Sequence, residues 1–298
     1  MSQKVALVLS SGGARGLAHI GVIESLEAQG YEITSVAGSS MGALVGAFYA
    51  CGKLDVYKEW ALNLDRYDVF KLIDFTFSVQ GFIRGEKVFK ALQEIIPDIS
   101  IEEMNIPFAA VVTDIEAKAE KVFREGSMYQ AIKASIAIPT VIRPVEFEGR
   151  KFIDGGVTNP IPVEHVKRTE GDLLVVSNVN AIKPYHRKVK DKKKEAAEKA
   201  SYNQKIQNFL NRWNKFLPGS VAESTEKKLG FFEILNESID LMQDRLTSLL
   251  LEKSNPDISI NISRDACSTF EFYKAKELIE AGRLAFEETL ADGNIQKN

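Results

Sequence analysis

The chain has 298 residues, 45% of them hydrophobic and 27% charged, a composition that suits one large or two modest globular domains. It excludes a collagen-like, disulfide-scaffold or mainly disordered chain. Forty-one acidic against thirty-eight basic side chains leave a net charge of −3, too near neutral to announce a nucleic-acid partner.

Val5 to Leu9 is a short apolar run ending in Ser10-Ser11-Gly12-Gly13. This predicts a buried strand entering a turn. Leu17 to Gln29 carries apolar residues at helical spacing, with Gly30 as its stop. Ile33 to Ala37 predicts a second strand that leads into Gly38-Ser39-Ser40-Met41-Gly42 and a further helix from Ala43. Strand, glycine loop, helix, strand, glycine turn, helix is the opening of an α/β domain with a parallel sheet. The first residues are too short an apolar stretch for a signal core, and no run reaches the ~18 apolar residues of a spanning helix. A soluble cytoplasmic protein without a transmembrane segment is expected.

Farther along, Phe108 to Thr113 and Lys121 to Arg124 predict strands, and Met128 to Ile138 a helix closed by Pro139. Val141 to Phe147 and Lys151 to Ile153 predict a hairpin around Glu148-Gly149. Leu173 to Val179 and Asp257 to Ile262 predict two more strands, and Phe272 to Leu290 the last helix. The division expected is a core at 1–182, a helical, lysine-rich insert or cap at 183–256, and a strand and helix completing the core at 257–298. The insert opens with Arg187, Lys188, Lys190, Lys192, Lys193, Lys194 and Lys199. Ile206, Phe209, Leu210, Trp213, Phe216 and Leu217 then share one helical face, and Leu235, Ile239, Met242, Leu246 and Leu249 a second. Such a face beside lysines fits first a cap helix packed on the core, and second a peripheral membrane surface through 187–217.

Gly38-x-Ser40-x-Gly42 fits a serine on a sharp strand-to-helix turn, where flanking glycines remove clashing Cβ atoms. An ordinary glycine turn fits the same five residues. Ser11-Gly12-Gly13-Ala14-Arg15-Gly16 aims successive backbone N–H groups from a helix N-terminus and so forms an anion site. A dinucleotide cradle would need glycine at Ser11 and a carboxylate at the end of the second strand. Neither is present, and no Gly-Lys-Ser/Thr follows, so an oxyanion hole fits better. A serine hydroxyl needs a base. His19, His165 and His186 all lie outside glycine-marked strand ends; His19 is expected on a helix face or surface. Asp154-Gly155-Gly156 follows the strand-like Lys151-Phe152-Ile153 and offers a carboxylate, although Asp-Gly is also a plain turn dipeptide. Cys51 and Cys267 form no C-x-x-C pair and read as buried free thiols. The histidines, cysteines and carboxylates lack metal-ligand spacing, so no metal and no cofactor are expected.

In this order and at these separations, the Ser-Gly-Gly-Ala-Arg-Gly, Gly-Ser-Ser-Met-Gly and Asp-Gly-Gly elements resemble the patatin-like phospholipase family. The resemblance covers Val5 to about Val179, with weaker likeness after Ser268. It implies a three-layer α/β/α fold with a mostly parallel sheet and a Ser–Asp dyad without histidine. Ser40 would be the nucleophile and Asp154 the base. Amides around Gly12, Gly13 and Ala14 would form the oxyanion hole, with Arg15 in that loop's basic slot. Gly16, Gly38, Gly42, Gly155 and Gly156 would shape the turns. The implied substrates are lipid carboxylic esters, phospholipids or lysophospholipids first. Ser11 departs from the family's glycine and is tolerable only at negative φ.

Overall fold

The computed structural model describes residues 2–72, 85–139, 141–185 and 231–293. The basic run from Arg187, His186 and the apolar face from Ile206 to Leu217 fall outside these residues. The chain divides into two compact units, Met1–Tyr185 with Glu237–Asn298, and His186–Asn236. The sheet and the candidate site belong to the first.

Among the described residues, eight strands form one sheet. β1 (Lys4–Leu9) lies at its centre, parallel to β2 (Glu32–Ser39) on one side and β7 (Leu173–Ala181) on the other. β3 (Phe108–Asp114) continues the parallel set beyond β2, and β8 (Ile258–Ser263) beyond β7. The edge beside β3 turns antiparallel, with β4 (Ala119–Phe123), β5 (Val145–Phe147) and β6 (Arg150–Asp154). The sheet is thus mostly parallel with an antiparallel margin. Strands buried on both faces read as unbroken apolar runs, which is why Val5 to Leu9 was so plain.

Alternation along β1 separates the two layers. Val5, Leu7 and Leu9 pack with α1 (Ala18–Ala28), α2 (Met41–Ala50), α6 (Met128–Ser135) and α8 (Ala275–Ala291). Ala6 and Val8 face the other way, onto Ile161, Val163 and Val166 and onto Leu250 and Leu251 of α7 (Phe231–Ser254). Between α2 and β3 lie α3 (Leu54–Leu62), α4 (Arg66–Leu72) and α5 (Glu86–Ile95).

Around the antiparallel margin two boundaries differ from the sequence expectation, and the hairpin turn falls where expected. The helix from Met128 stops at Ser135, because Ile136 leaves helical geometry before Pro139. The strand begins at Val145, and residues 141–144 stay outside the sheet. The hairpin turn is the two residues Glu148 and Gly149, at φ 50° and 73°, with Phe147 paired to Arg150. Two left-handed central residues give the turn whose twist suits a tight hairpin.

Pairing along β3 decides where the site falls. Val111 pairs with both Ser39 of β2 and Val122 of β4. Val112 pairs with both Asp154 of β6 and Lys121 of β4. β4 holds one edge of β3 from Ala110 to Asp114, so β6 takes over the other edge at the point where β2 ends.

Candidate active site

Ser40 sits between β2 and α2 at φ 54° and ψ −124°. A non-glycine residue held in that region carries about 1–3 kcal/mol of strain, which the surrounding structure must impose. It does so by close packing. A Cβ on Gly38 would stand 2.3 Å from the Gly42 carbonyl oxygen, and one on Gly42 would stand 2.2 Å from that of Leu9. Both flanking glycines are therefore required by contact. Gly16 and Gly155 are similarly pressed, against the Met41 side chain and the Val111 carbonyl.

The Ser40 hydroxyl donates to Asp154 Oδ2 at 2.6 Å. The other carboxylate oxygen, Oδ1, accepts from the Gly156 N–H at 2.7 Å. Both side chains are buried. Burial pushes the Asp154 carboxyl up to about 6, although the Ser40 and Gly156 hydrogen bonds pull the other way. Desolvation wins because it penalises only the charged form. A second tether comes from Ser135 of α6. Its Oγ accepts from the Ser40 N–H at 2.9 Å and donates to the Val111 carbonyl at 2.7 Å. Ser135 escaped the sequence reading because a lone serine in a helix has no motif around it.

The glycine loop is pinned on both sides. Ser11 N–H donates to Pro160 O, and Asn180 Nδ2 donates to Ser11 O at 2.7 Å. Ser11 is not among the positive-φ residues, which meets the condition its presence imposed. Gly13 has φ 55° and lines the same cleft as Ser40. One of the expected oxyanion amides, that of Ala14, is engaged elsewhere. Ala14 N–H donates to Thr269 O at 2.8 Å, and Arg15 N–H closes onto Gly12 O at 3.2 Å. The loop's donors without an acceptor among the described residues are thus Gly12 and Gly13. The Arg15 guanidinium bonds Asn180 Oδ1 and the Cys267 carbonyl.

Ser40 opens onto an apolar cleft of about 970 Å³, counted with its mouth. Leu17, Leu44, Tyr57, Leu92, Ile142 and Phe272 are among its walls. Its apolar lining suits a hydrocarbon chain.

The histidines described are engaged elsewhere. His19 is fully buried rather than on a surface, bonded to Ser177 Oγ at 2.8 Å and to Ser10 O at 2.9 Å. Burial holds it down to about 4, so it is neutral. His165 pairs with Glu120 at 2.8 Å. Cys267 is buried and Cys51 half-buried, and both are free thiols. Burial pushes Cys267 up to about 12, far from a reactive thiolate.

Residues 7–167 match the family model described as patatin-like phospholipase. An uncharacterized NTE family protein of Mycobacterium bovis is 34% identical over 325 residues, spanning 95% of this chain and 90% of its own length. The chain belongs to the patatin-like phospholipase family. The matched stretch contains the glycine loop, Ser40 and Asp154. Patatin-like phospholipase domain-containing protein 6 of Homo sapiens is 31% identical over 58% of this chain, which corresponds to 13% of that much longer protein. Neuropathy target esterase sws of Drosophila melanogaster is 29% identical over 54% of this chain and 12% of its own. Among solved structures, VipD from Legionella pneumophila aligns with 98% of this patatin-like chain and 67% of its own, at 16% identity and a TM-score of 0.48. No helix among the described residues is long and apolar enough to cross a membrane.

Proposed function

We propose that this patatin-like chain hydrolyses lipid carboxylic esters, with Ser40 as nucleophile and Asp154 as its base. The observation that carries the reading is the buried 2.6 Å hydrogen bond from Ser40 Oγ to Asp154 Oδ2. As Oγ attacks the ester carbonyl, its proton passes to Oδ2. The tetrahedral oxyanion is held by the Gly12 and Gly13 amides, helped by the N-terminus of α2. Collapse expels the alcohol, which takes the proton from Asp154 and leaves the acyl group on Ser40. Asp154 then takes a proton from a water that attacks the acyl carbonyl; as the Ser40–acyl bond breaks, that proton passes to Ser40 Oγ and the fatty acid leaves.

A carboxylate at the usual ~4 is a poor base for an alcohol, and efficiency improves as the base approaches working pH. Raising Asp154 to about 6 narrows that mismatch. An oxyanion donor supplies a further ~3 kcal/mol. The apolar cleft beside Ser40 supports a fatty acyl chain as the acid half of the ester. The lysine-rich stretch 187–217 is our candidate for meeting a lipid surface; its deletion should weaken liposome flotation.

Labelling by a fluorophosphonate tests the nucleophile, with Ser40→Ala as control, followed by a panel of defined lipid esters. A label confined to Ser40 supports the reading. A protein that stays unlabelled yet binds lipid would instead be a silent module of the same fold.

A further inference from the structure

A trans peptide points its N–H opposite its C=O, so an amide is aimed by whatever holds the carbonyl behind it. Behind the Gly13 amide stands the Gly12 carbonyl, which accepts from the Arg15 N–H at 3.2 Å. That amide is therefore aimed from within the glycine loop. Behind the Gly12 amide stands the Ser11 carbonyl, which accepts from Asn180 Nδ2 at 2.7 Å and from Ser10 Oγ at 3.1 Å. The shorter of these two bonds comes from outside the loop, from β7.

The Asn180 amide can face only one way. Its Oδ1 accepts from Arg15 Nε at 3.1 Å, and a guanidinium only donates, whereas the Ser11 carbonyl only accepts. Turning the amide over would set donor against donor and acceptor against acceptor. The Asn180 N–H in turn donates to Asn178 Oδ1 at 3.0 Å, and Asn178 Nδ2 donates to Asn261 Oδ1 at 3.2 Å. β7 is irregular at this point. Asn178 faces Asn261 of β8 and Ala181 faces Ser263, so Val179 and Asn180 stand opposite the single residue Ile262. Such a bulge re-aims a side chain, and bulges gather beside active sites. The contact with the loop is close, since a Cβ on Gly12 would stand 2.4 Å from Val179 Cγ2 and 3.2 Å from Asn180 Oδ1.

We propose that Asn180 is a positioning residue of the oxyanion hole. By holding the Ser11 carbonyl it aims the Gly12 N–H at the oxygen of the reacting ester, and Arg15 acts through Asn180 rather than on the substrate. This rests on the ester-hydrolase reading above and adds the residue that orients one of its two donors.

The test uses the full chain, a fatty-acid ester in mixed micelles, and a long-chain alkyl trifluoromethyl ketone whose adduct with Ser40 carries the same oxyanion. Asn180→Asp keeps the size but sets a carboxylate oxygen against the Ser11 carbonyl, and Asn180→Ala removes the bond. A misaimed donor should lower kcat by roughly 10- to 100-fold in both, with KM for the ester within about twofold. The Ki of the ketone should rise in step with the fall in kcat, which a merely structural role would not produce. Arg15→Met should also lower kcat, and the double variant with Asn180→Ala should be no slower than the slower single one. The melting temperature and end-point fluorophosphonate labelling report that each variant is folded with Ser40 in place. Folded, labelled Asn180 variants with wild-type kcat and Ki would overturn the positioning role and leave the hydrolase standing. Losses that multiply in the double variant would overturn the route from Arg15 through Asn180. A wild type that neither labels nor cleaves the ester would bring down the hydrolase, and this role with it.

Discussion

Ser39 and Asp154 stand opposite consecutive residues of one strand, Ser39 facing Val111 and Asp154 facing Val112. They are 115 positions apart in the chain, yet β3 brings the end of β2 and the end of β6 together. The hydroxyl of the next residue, Ser40, then needs only its turn to reach the carboxylate.

Replacing Ser40 by Ala or Asp154 by Asn should lower turnover at least ~10³-fold while the fold persists. The two differ in stability. Asp154 titrates higher in the folded chain than unfolded, so its contribution is full below the ordinary aspartate range and drains away as pH rises toward about 6. Asp154→Asn should therefore melt a few degrees above the wild type at pH 7.5 and nearly level with it at pH 4. Differential scanning calorimetry at the two pH values checks the sign.

The same group sets the pH profile. The acid limb of kcat/KM should fall tenfold per pH unit below about 6 and flatten above it, as Asp154 ionises. His19 is held neutral down to about 4 and touches neither dyad residue, so it adds no limb. His165→Ala should leave the profile unmoved. A plateau continuing to pH 4.5 would count against Asp154 as the base.

Ser135→Ala removes both tethers at once, leaving the Val111 carbonyl and the Ser40 N–H without that partner. A loss of about 1–3 kcal/mol is expected in urea unfolding. Because the missing bond steadies the strained turn, kcat should fall by roughly tenfold with KM little changed. An equal loss of stability with kcat intact would make Ser135 merely structural.

Leu44 lies on α2 and walls the cleft. Leu44→Trp should shift preference toward short acyl chains, raising KM for a C16 ester about tenfold relative to a C4 ester. A chain-length series in the folded variant reads this directly.

The fold's centre was legible because β1, β2 and β7 are buried on both faces and leave unbroken apolar runs. The nucleophile turn was legible because crowding forces glycine at both Gly38 and Gly42. Other parts carry no such mark. α3 and α5 wall the cleft with ordinary Tyr57 and Leu92, which look like any core residue. His19 sits in a helix whose every neighbour from Ala18 to Ile23 is buried, so no polar face revealed its direction. In α7 the apolar stripe misled: Met242 and Leu249 are exposed, while Thr247 is buried. Hydrophobic spacing tells which residues share a side of a helix, not which side meets the protein. The engagement of the Ala14 amide by Thr269 depends on a partner 255 positions away, beyond any local pattern.

The hairpin tip at Glu148 and Gly149 lies five residues from Asp154 and is exposed to solvent. Yet it fixes the parity of β6, since sliding a strand by one residue turns every side chain over. One amino acid inserted at that remote bend, which touches neither substrate nor nucleophile, would swing the carboxylate to the far side of the ribbon and silence the chemistry without removing an atom of it.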